Sequence, residues 1–377
     1  MTWVVYALVG YFAYLETSLG PIMPFLKTER GFSYTVASLH FSAFASGGVL
    51  IGLLGERAIG WWGRRASLWG GGAGMAVGAI LLASSPATAG TILGALLMGT
   101  SGSLLLITTQ AILSDSHGPV NGAVALTESN AAASACAIAA SLSVGVFSAA
   151  GLGWRAAFLP PLLALVLLSP GVRLRAPRER GAVHRRSGER RSRLPIRFWA
   201  CWGVLSLGVA IEWCITYWGA TFLKAGLGLS SAGAAEALSV FPAAMLAGRL
   251  LGSALARFLP VVALLMITLT VALAGFPLFW LSGSRPATLA GLAITGLGMG
   301  SVYPLSVSAG VSSVPGESDR TTARLSLGAS GAILLAPFAL GAISDHTGIS
   351  AAYGIVLPML VTALFLMLAS LRLSRGG

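Results

Sequence analysis

Between Arg173 and Arg197 the chain carries ten arginines against two glutamates, and on either side of that stretch it is almost continuously apolar. A segment that demands water, set between two long segments that avoid it, leaves few folds open. The pattern predicts two membrane-embedded halves joined by a cytoplasmic connector. With 55% hydrophobic residues, only 10% charged residues and a mean hydropathy of +0.83, a water-soluble globule of this length is excluded. A net charge of +12 would otherwise suggest a nucleic-acid partner. The basic residues are instead concentrated in the connector, without the aromatic and polar company that nucleic-acid readout needs. Cys136, Cys201 and Cys214 are odd in number and lie in apolar segments, which implies no disulfide framework.

About 20 apolar residues cover the hydrocarbon core of a bilayer, and on that measure the chain divides into twelve spans. Those of the first half fall near 3–26, 34–56, 66–85, 90–113, 121–149 and 155–173. Those of the second fall near 198–223, 232–257, 260–282, 287–312, 321–343 and 351–371. The first run has no basic leader and no small-residue cleavage site, so it reads as a retained helix. Residues 1–173 and 198–377 then form an N-terminal and a C-terminal six-helix bundle, with 174–197 as the connector. Arg57, Arg64, Arg65, Arg257, Arg320, Arg324 and the connector share one side, so the positive-inside rule puts both termini in the cytoplasm.

Laid on the first half at an offset of 196 residues, the second half matches Trp3 with Trp199, Glu16 with Glu212, Ser134 with Ser330 and Gly145 with Gly341. At an offset of 197 the turn Gly31-Phe32-Ser33 aligns with Gly228-Leu229-Ser230. This is an internal duplication, and an even number of spans per copy relates the copies by an axis along the membrane normal.

The segment Gly52-Leu53-Leu54-Gly55-Glu56-Arg57, followed by Gly63-Arg64-Arg65, resembles the G-x-x-x-D-R-x-G-R-R signature of the major facilitator superfamily. Glu56 stands where that signature has aspartate, and Ala58 to Trp62 lengthen the turn. Gly153-Trp154-Arg155 is similar to the same family. The resemblance implies an all-α membrane protein of twelve helices in two pseudo-symmetric bundles, working as a secondary transporter in the cytoplasmic membrane. Glu212-Trp213, Tyr217-Trp218, Gly248-Arg249 and Gly298 to Pro304 resemble the fucose:proton symporter branch, and they resemble drug:proton antiporters nearly as well. Symport of a small organic solute and efflux of amphipathic drugs by proton exchange therefore both stay open, beside a sensor or scaffold that does not transport.

A carboxylate near the middle of a bilayer costs about 2.5–3.5 kcal/mol unless it is protonated or paired, so intramembrane glutamates mark working positions. Glu16 and Glu212 lie about halfway along the first and seventh helices and are expected to face one another across the path. A carboxylate in a low dielectric beside a like charge takes up a proton readily, as coupling requires. The alternative for each is a buried glutamate bonded to backbone at an unwound turn such as Gly20-Pro21. Tyr14, Gln110, Trp213, Tyr217 and Tyr303 are the candidates for solute contact, by stacking or hydrogen bonding. Packing between helices and the interfacial belt compete for the aromatics, and Trp61 and Trp62 are assigned to the belt. His40 reads as a packed neutral histidine or a pH sensor.

Two gates are expected. Glu56 should pair with Arg320 or Arg324 to hold the inner side shut, and Glu128, on helix 5, with Arg249, on helix 8, at equal depth when the inner side closes. The alternatives are an exposed pair at Glu56 and, for Glu128 and Arg249, each satisfied within its own bundle. The four histidines and three cysteines share no ligand spacing, and runs such as Trp69-Gly70-Gly71-Gly72 suit helix packing rather than phosphate. No metal, cofactor or enzymatic activity is expected. The partners are a small solute, protons and lipid, and the protein should act as a monomer.

Overall fold

The computed structural model describes residues 2–168, 194–314 and 317–373, and almost all of them are helical. The helices are α1 (Thr2–Arg30), α2 (Tyr34–Gly55), α3 (Arg57–Ser84), α4 (Thr88–His117), α5 (Val124–Ala149) and α6 (Trp154–Leu168) in the first half. The second half holds α7 (Ile196–Leu227), α8 (Ser231–Leu255), α9 (Val261–Leu281), α10 (Arg285–Ser312), α11 (Arg320–Thr347) and α12 (Ile349–Ser370). Among the described residues ten of these, α2 to α5 and α7 to α12, are long and apolar enough to cross a membrane. The other two differ for visible reasons: α1 carries Glu16 in its middle and Lys27, Glu29 and Arg30 at its end, and α6 is short. The connector expected at 174–197 lies outside the described residues as far as 193, so its fold is not part of the description.

Long helical runs fold back at sequence-coded points. α2 and α3 belong to one run, Tyr34–Ser84, whose backbone leaves the helix at Gly63 with φ 77° and ψ 157°. Gly55 packs on Ile107 and Gly71 on Leu105, so positions on either side of Gly63 meet the same level of α4. That φ is open to glycine and strained for other residues. The same corner is built twice: Gly31 and Gly228 take φ near 65° (65° and 63°), and Ser33 and Ser230 then cap the next helix by accepting the Val36 and Gly233 N–H groups. The duplication read from the sequence is thus visible as repeated backbone geometry.

The halves meet through small residues. A Cβ on Gly20 of α1 would lie 2.0 Å from the Thr216 carbonyl of α7, one on Gly145 of α5 would lie 2.9 Å from the Ala232 carbonyl of α8, and one on Gly341 of α11 would lie 2.9 Å from the Tyr34 carbonyl of α2. Only glycine lets these backbones approach so closely. Pro21 and Pro24 sit inside α1, yet the helix runs unbroken through them, so no unwound turn forms beside Glu16.

Candidate functional site

Glu16 is one helical turn before Gly20, and Glu212 is one turn before Thr216. Residues four apart share a helix face, so both carboxylates lie on the faces that α1 and α7 turn toward each other at their crossing. They line one cavity of about 180 Å³, together with Thr17, Asn130, Ser134, Trp213 and Arg249. The spacings on α5 (Asn130, Ser134, Ala137, Ser141) and on α8 (Leu238, Phe241, Met245, Arg249) follow the helical period, which gives each helix one wall. A second cavity of about 260 Å³ shares Glu212, Trp213 and Arg249 and extends to Tyr303, Ser326 and Ser330.

Arg249 is the cation on these walls among the described residues. Its Nη2 lies 3.8 Å from Glu212 Oε1. Nη1 donates to Ser134 Oγ at 3.0 Å, across to the first half, and Nε donates to the Gly300 carbonyl at 3.3 Å. Gly300 and Ser301 interrupt α10 between Met299 and Val302, which leaves the Gly300 carbonyl open to this bond. Glu16 makes no hydrogen bond or ion pair among the described residues, and it shares the wall of the first cavity with Glu212.

At the end where α1 gives way to α2, the Arg30 end, the halves are shut. Phe41 of α2 stacks on Tyr217 of α7 with centroids 4.2 Å apart and meets Trp218 edge-on at 5.3 Å. Trp218 donates to the Pro337 carbonyl at 2.8 Å. Above this layer the Asp345 carboxylate, at the end of α11, accepts the Tyr34 N–H at 2.6 Å and the Thr35 N–H at 2.8 Å, satisfying orphan donors at the start of α2. Lys224 bridges to Thr28 at 3.0 Å. Toward the connector end the bonds seen stay within one half: Tyr6 to Glu128, Arg64 to Asp115 and Trp202 to the Arg324 carbonyl. Glu128 and Asn130 are exposed there, so the cavity opens toward the connector.

The expected site residues divide accordingly. Glu16, Glu212 and Trp213 are on the wall of the first cavity, and Tyr303 is on that of the second. Tyr217 is fully buried in the aromatic layer, with its hydroxyl unpartnered. Tyr14 is elsewhere: its hydroxyl is taken by Ser143 and by the Ala157 carbonyl at 2.7 Å, inside the first half, so it packs α1 against α5 and α6. Gln110 is exposed on α4, away from both cavities. His40 is buried and bonded to Thr91 at 2.8 Å and to backbone carbonyls, the packed alternative.

The expected gate residues have other surroundings in this conformation. Glu128 and Arg249 do not pair in this conformation; Tyr6 holds Glu128 at 2.6 Å, while Glu212 and Ser134 hold Arg249. Each charge is thus satisfied by another partner, Glu128 within its own half and Arg249 across the cavity. The Glu56 side chain lies outside the described residues. Arg320 pairs with Glu317 at 2.5 Å. α2 and α11 do adjoin, at the Arg30 end, through Asp345, a residue the sequence reading passed over. Ser134 and Ser330 were missed as well, although their match in the duplication was a usable signal: one lines each cavity.

The sequence profile of the Major Facilitator Superfamily matches residues 2–320. No curated protein matches the chain. Among solved structures, a bacterial homologue of the human lysosomal transporter Spinster, described as inward-facing and occupied, superposes with a TM-score of 0.77 at 17% identity, over 98% of this chain and 96% of that one. A D-xylose–proton symporter superposes at 0.69 and 17% identity, over 97% and 96%. A transporter of the POT family in complex with a peptide conjugate superposes at 0.77 and 13% identity, over 100% and 96%. At these identities the likeness is one of fold.

Proposed function

The chain belongs to the major facilitator superfamily, and from that premise we propose that it is a proton-coupled secondary active transporter of a small organic solute. The cavity is its substrate site, reached alternately from either side of the cytoplasmic membrane. The observation that carries this reading is the pair Glu16 and Glu212, from equivalent helices of the two halves, on the wall of a single cavity that is shut at one end and open at the other. Buried carboxylates without full compensation are costly in a membrane and are kept where protons move.

In this reading α1 and α6 complete twelve crossings, the two halves are the bundles that rock, and the connector end with both termini is cytoplasmic. The conformation is then open inward, in keeping with the inward-facing description of one structural neighbour. When the bundles rock the other way, the Arg30 seal opens. Glu56 with Arg320 or Arg324 then closes the cytoplasmic side as a gate, while Glu128 stays with Tyr6 of its own half and Arg249 stays with the cavity. Trp213 and Tyr303 contact the solute. Symport is the direction we favour, supported by the resemblance of Glu212-Trp213 and Gly248-Arg249 to the fucose:proton symporter branch and by a neighbour that is a proton symporter. The protein acts as a monomer, with no cofactor.

The test is transport by the purified protein in liposomes under an imposed proton gradient, with lumenal pH recorded. The reading expects solute uptake to follow the gradient and to need Glu16 and Glu212. Gradient-driven uptake that is unchanged in both the Glu16→Gln and the Glu212→Gln protein would remove it.

A further inference from the structure

We infer that the solute carries a single negative charge, and that Arg249 is the group that receives it, handed over by Glu212 as Glu212 takes up the proton. This rests on the proton-symport reading above and names the substrate class of the same cavity.

Arg249 is held from three sides, and the three contacts are unequal. Its bonds to Ser134 Oγ (3.0 Å) and to the Gly300 carbonyl (3.3 Å) fix the guanidinium plane, whereas the Glu212 contact at 3.8 Å is an ion pair longer than a hydrogen bond. The Glu212 contact is thus the exchangeable one. Both partners line both cavities, and the Arg249 side chain is 40% exposed, so a solute that enters meets the guanidinium directly. The groups around Glu212 are few. Glu16 faces it from α1, Arg249 from α8 and Tyr303 from α10, while α5 and α11 contribute neutral side chains such as Ser134 and Ser330.

Charge balance then selects the solute. A cavity that closes on both sides loses its water, and a guanidinium left there without an anion costs several kcal/mol. Once Glu212 is neutral it no longer balances Arg249, and Glu16 is beyond ion-pair distance of it. A neutral polyol leaves the imbalance and a cation worsens it. A monoanion removes it: a proton from the medium forms an O–H bond on Glu212, and the oxygens of the solute accept the Arg249 N–H groups in place of the Glu212 carboxylate. The net charge of the site is the same before and after. On the other side the solute leaves, the proton follows, and Glu212 returns to Arg249. A planar carboxylate or sulfonate suits the guanidinium fork, and Trp213, Phe241 and Met245 offer apolar surface to an organic body.

Liposomes holding the purified protein and a lumenal pH dye would be offered two matched sets of solutes from outside. One is gluconate, L-fucose and glucosamine; the other is benzenesulfonate, benzyl alcohol and benzylammonium. At least one anion should acidify the lumen about tenfold faster than in protein-free liposomes, with its neutral and cationic counterparts at the protein-free rate. Arg249→Lys should keep part of that response. Arg249→Ala should lose it while still eluting as the same folded species, and Glu212→Gln should exchange the labelled anion across the membrane without moving protons. Proton movement with a neutral or cationic member while both anions are silent overturns the inference and leaves the transport reading standing. Silence from all six removes both, and an anion response that survives Arg249→Ala overturns the inference alone.

Discussion

Glu16 and Glu212 occupy equivalent positions of the duplicated halves, on helices that cross at a second equivalent pair, Gly20 and Thr216, yet their surroundings differ. Glu212 has a guanidinium 3.8 Å away and an indole beside it in the chain; Glu16 has neither, only Ala13 and Thr17 on its own face of α1. At the 197-residue offset that relates α2 to α8, the position in the first half that corresponds to Arg249 is Gly52, which has no side chain to offer. The duplication therefore supplies the frame, which is symmetric, and one unmatched arginine makes its two halves unlike. A frame with two identical carboxylates gives no means of telling proton from solute. An arginine on one side alone divides the roles: Glu212 trades its partner, while Glu16 adds negative potential from the opposite wall.

The strongest way to break this comparison is to neutralise the two carboxylates separately. Glu212→Gln should lower proton-driven uptake about a hundredfold, near 2.7 kcal/mol of lost driving interaction. It should also flatten the pH profile, because the amide mimics only the protonated state. Glu16→Gln should cost about tenfold and keep a pH-dependent profile. Initial rates across a series of imposed gradients measure both. Equal losses, or the reverse order, would mean that the arginine does not distinguish the two sites.

How the frame was readable, and the site only partly, follows from what each depends on. Span positions rest on apolar length and on turn residues such as Gly31 and Gly228, all local in the chain, so the expected spans near 34–56 and 232–257 fall on α2 and α8. The cavity pair Glu16 and Glu212 was readable because duplication and depth both point to it. Contacts that depend on which end is shut were not. Glu128 and Arg249 share a depth, but depth says nothing about whether the halves touch there, and Tyr6 supplies Glu128 with a partner one helix away. Tyr14 shows the opposite limit: it is two residues from Glu16, so it points to another face, toward Ser143. Asp345 gave no signal at all, since its role lies in two backbone N–H groups of a helix 310 residues earlier.

A smaller effect sharpens the comparison at the crossing itself. Gly20 and Thr216 are equivalent, but only the first must be small, because a Cβ there would lie 2.0 Å from the Thr216 carbonyl oxygen. Gly20→Ala should push α1 from α7, lower the uptake rate about fivefold, and lower the melting temperature by a few degrees, in line with roughly 1–3 kcal/mol for overpacking. Gly226→Ala, whose Cβ would meet nothing within 4 Å, is the matched control and should change neither. Uptake and melting that respond alike to both substitutions would mean that the close approach of α1 and α7 carries no weight.

The least effect is expected where the two ends of the molecule are set against each other. At the shut end Asp345 places a full negative charge on the two exposed N–H groups that begin α2, with bonds of 2.6 and 2.8 Å. A carboxylate at a helix N-terminus contributes about 0.5–2 kcal/mol, and an amide in its place keeps one acceptor oxygen but loses the charge. Asp345→Asn should therefore shift the balance toward the state open at the Arg30 end by a factor of about two to ten, without abolishing transport. A cysteine placed at Thr221, buried one turn past Tyr217 toward the Arg30 end, reports this shift in a background with Cys136, Cys201 and Cys214 changed to Ser. It should react faster with a membrane-impermeant maleimide applied to the Arg30 side. Glu128→Gln, at the open end, should leave that reactivity alone, because its partner Tyr6 belongs to its own half and the bond between them ties no bundle to the other. If the amide at Glu128 raises the labelling of Thr221→Cys as much as the amide at Asp345 does, the two ends do not differ in what holds the halves together, and the seal must lie in the aromatic stack of Phe41 on Tyr217 instead.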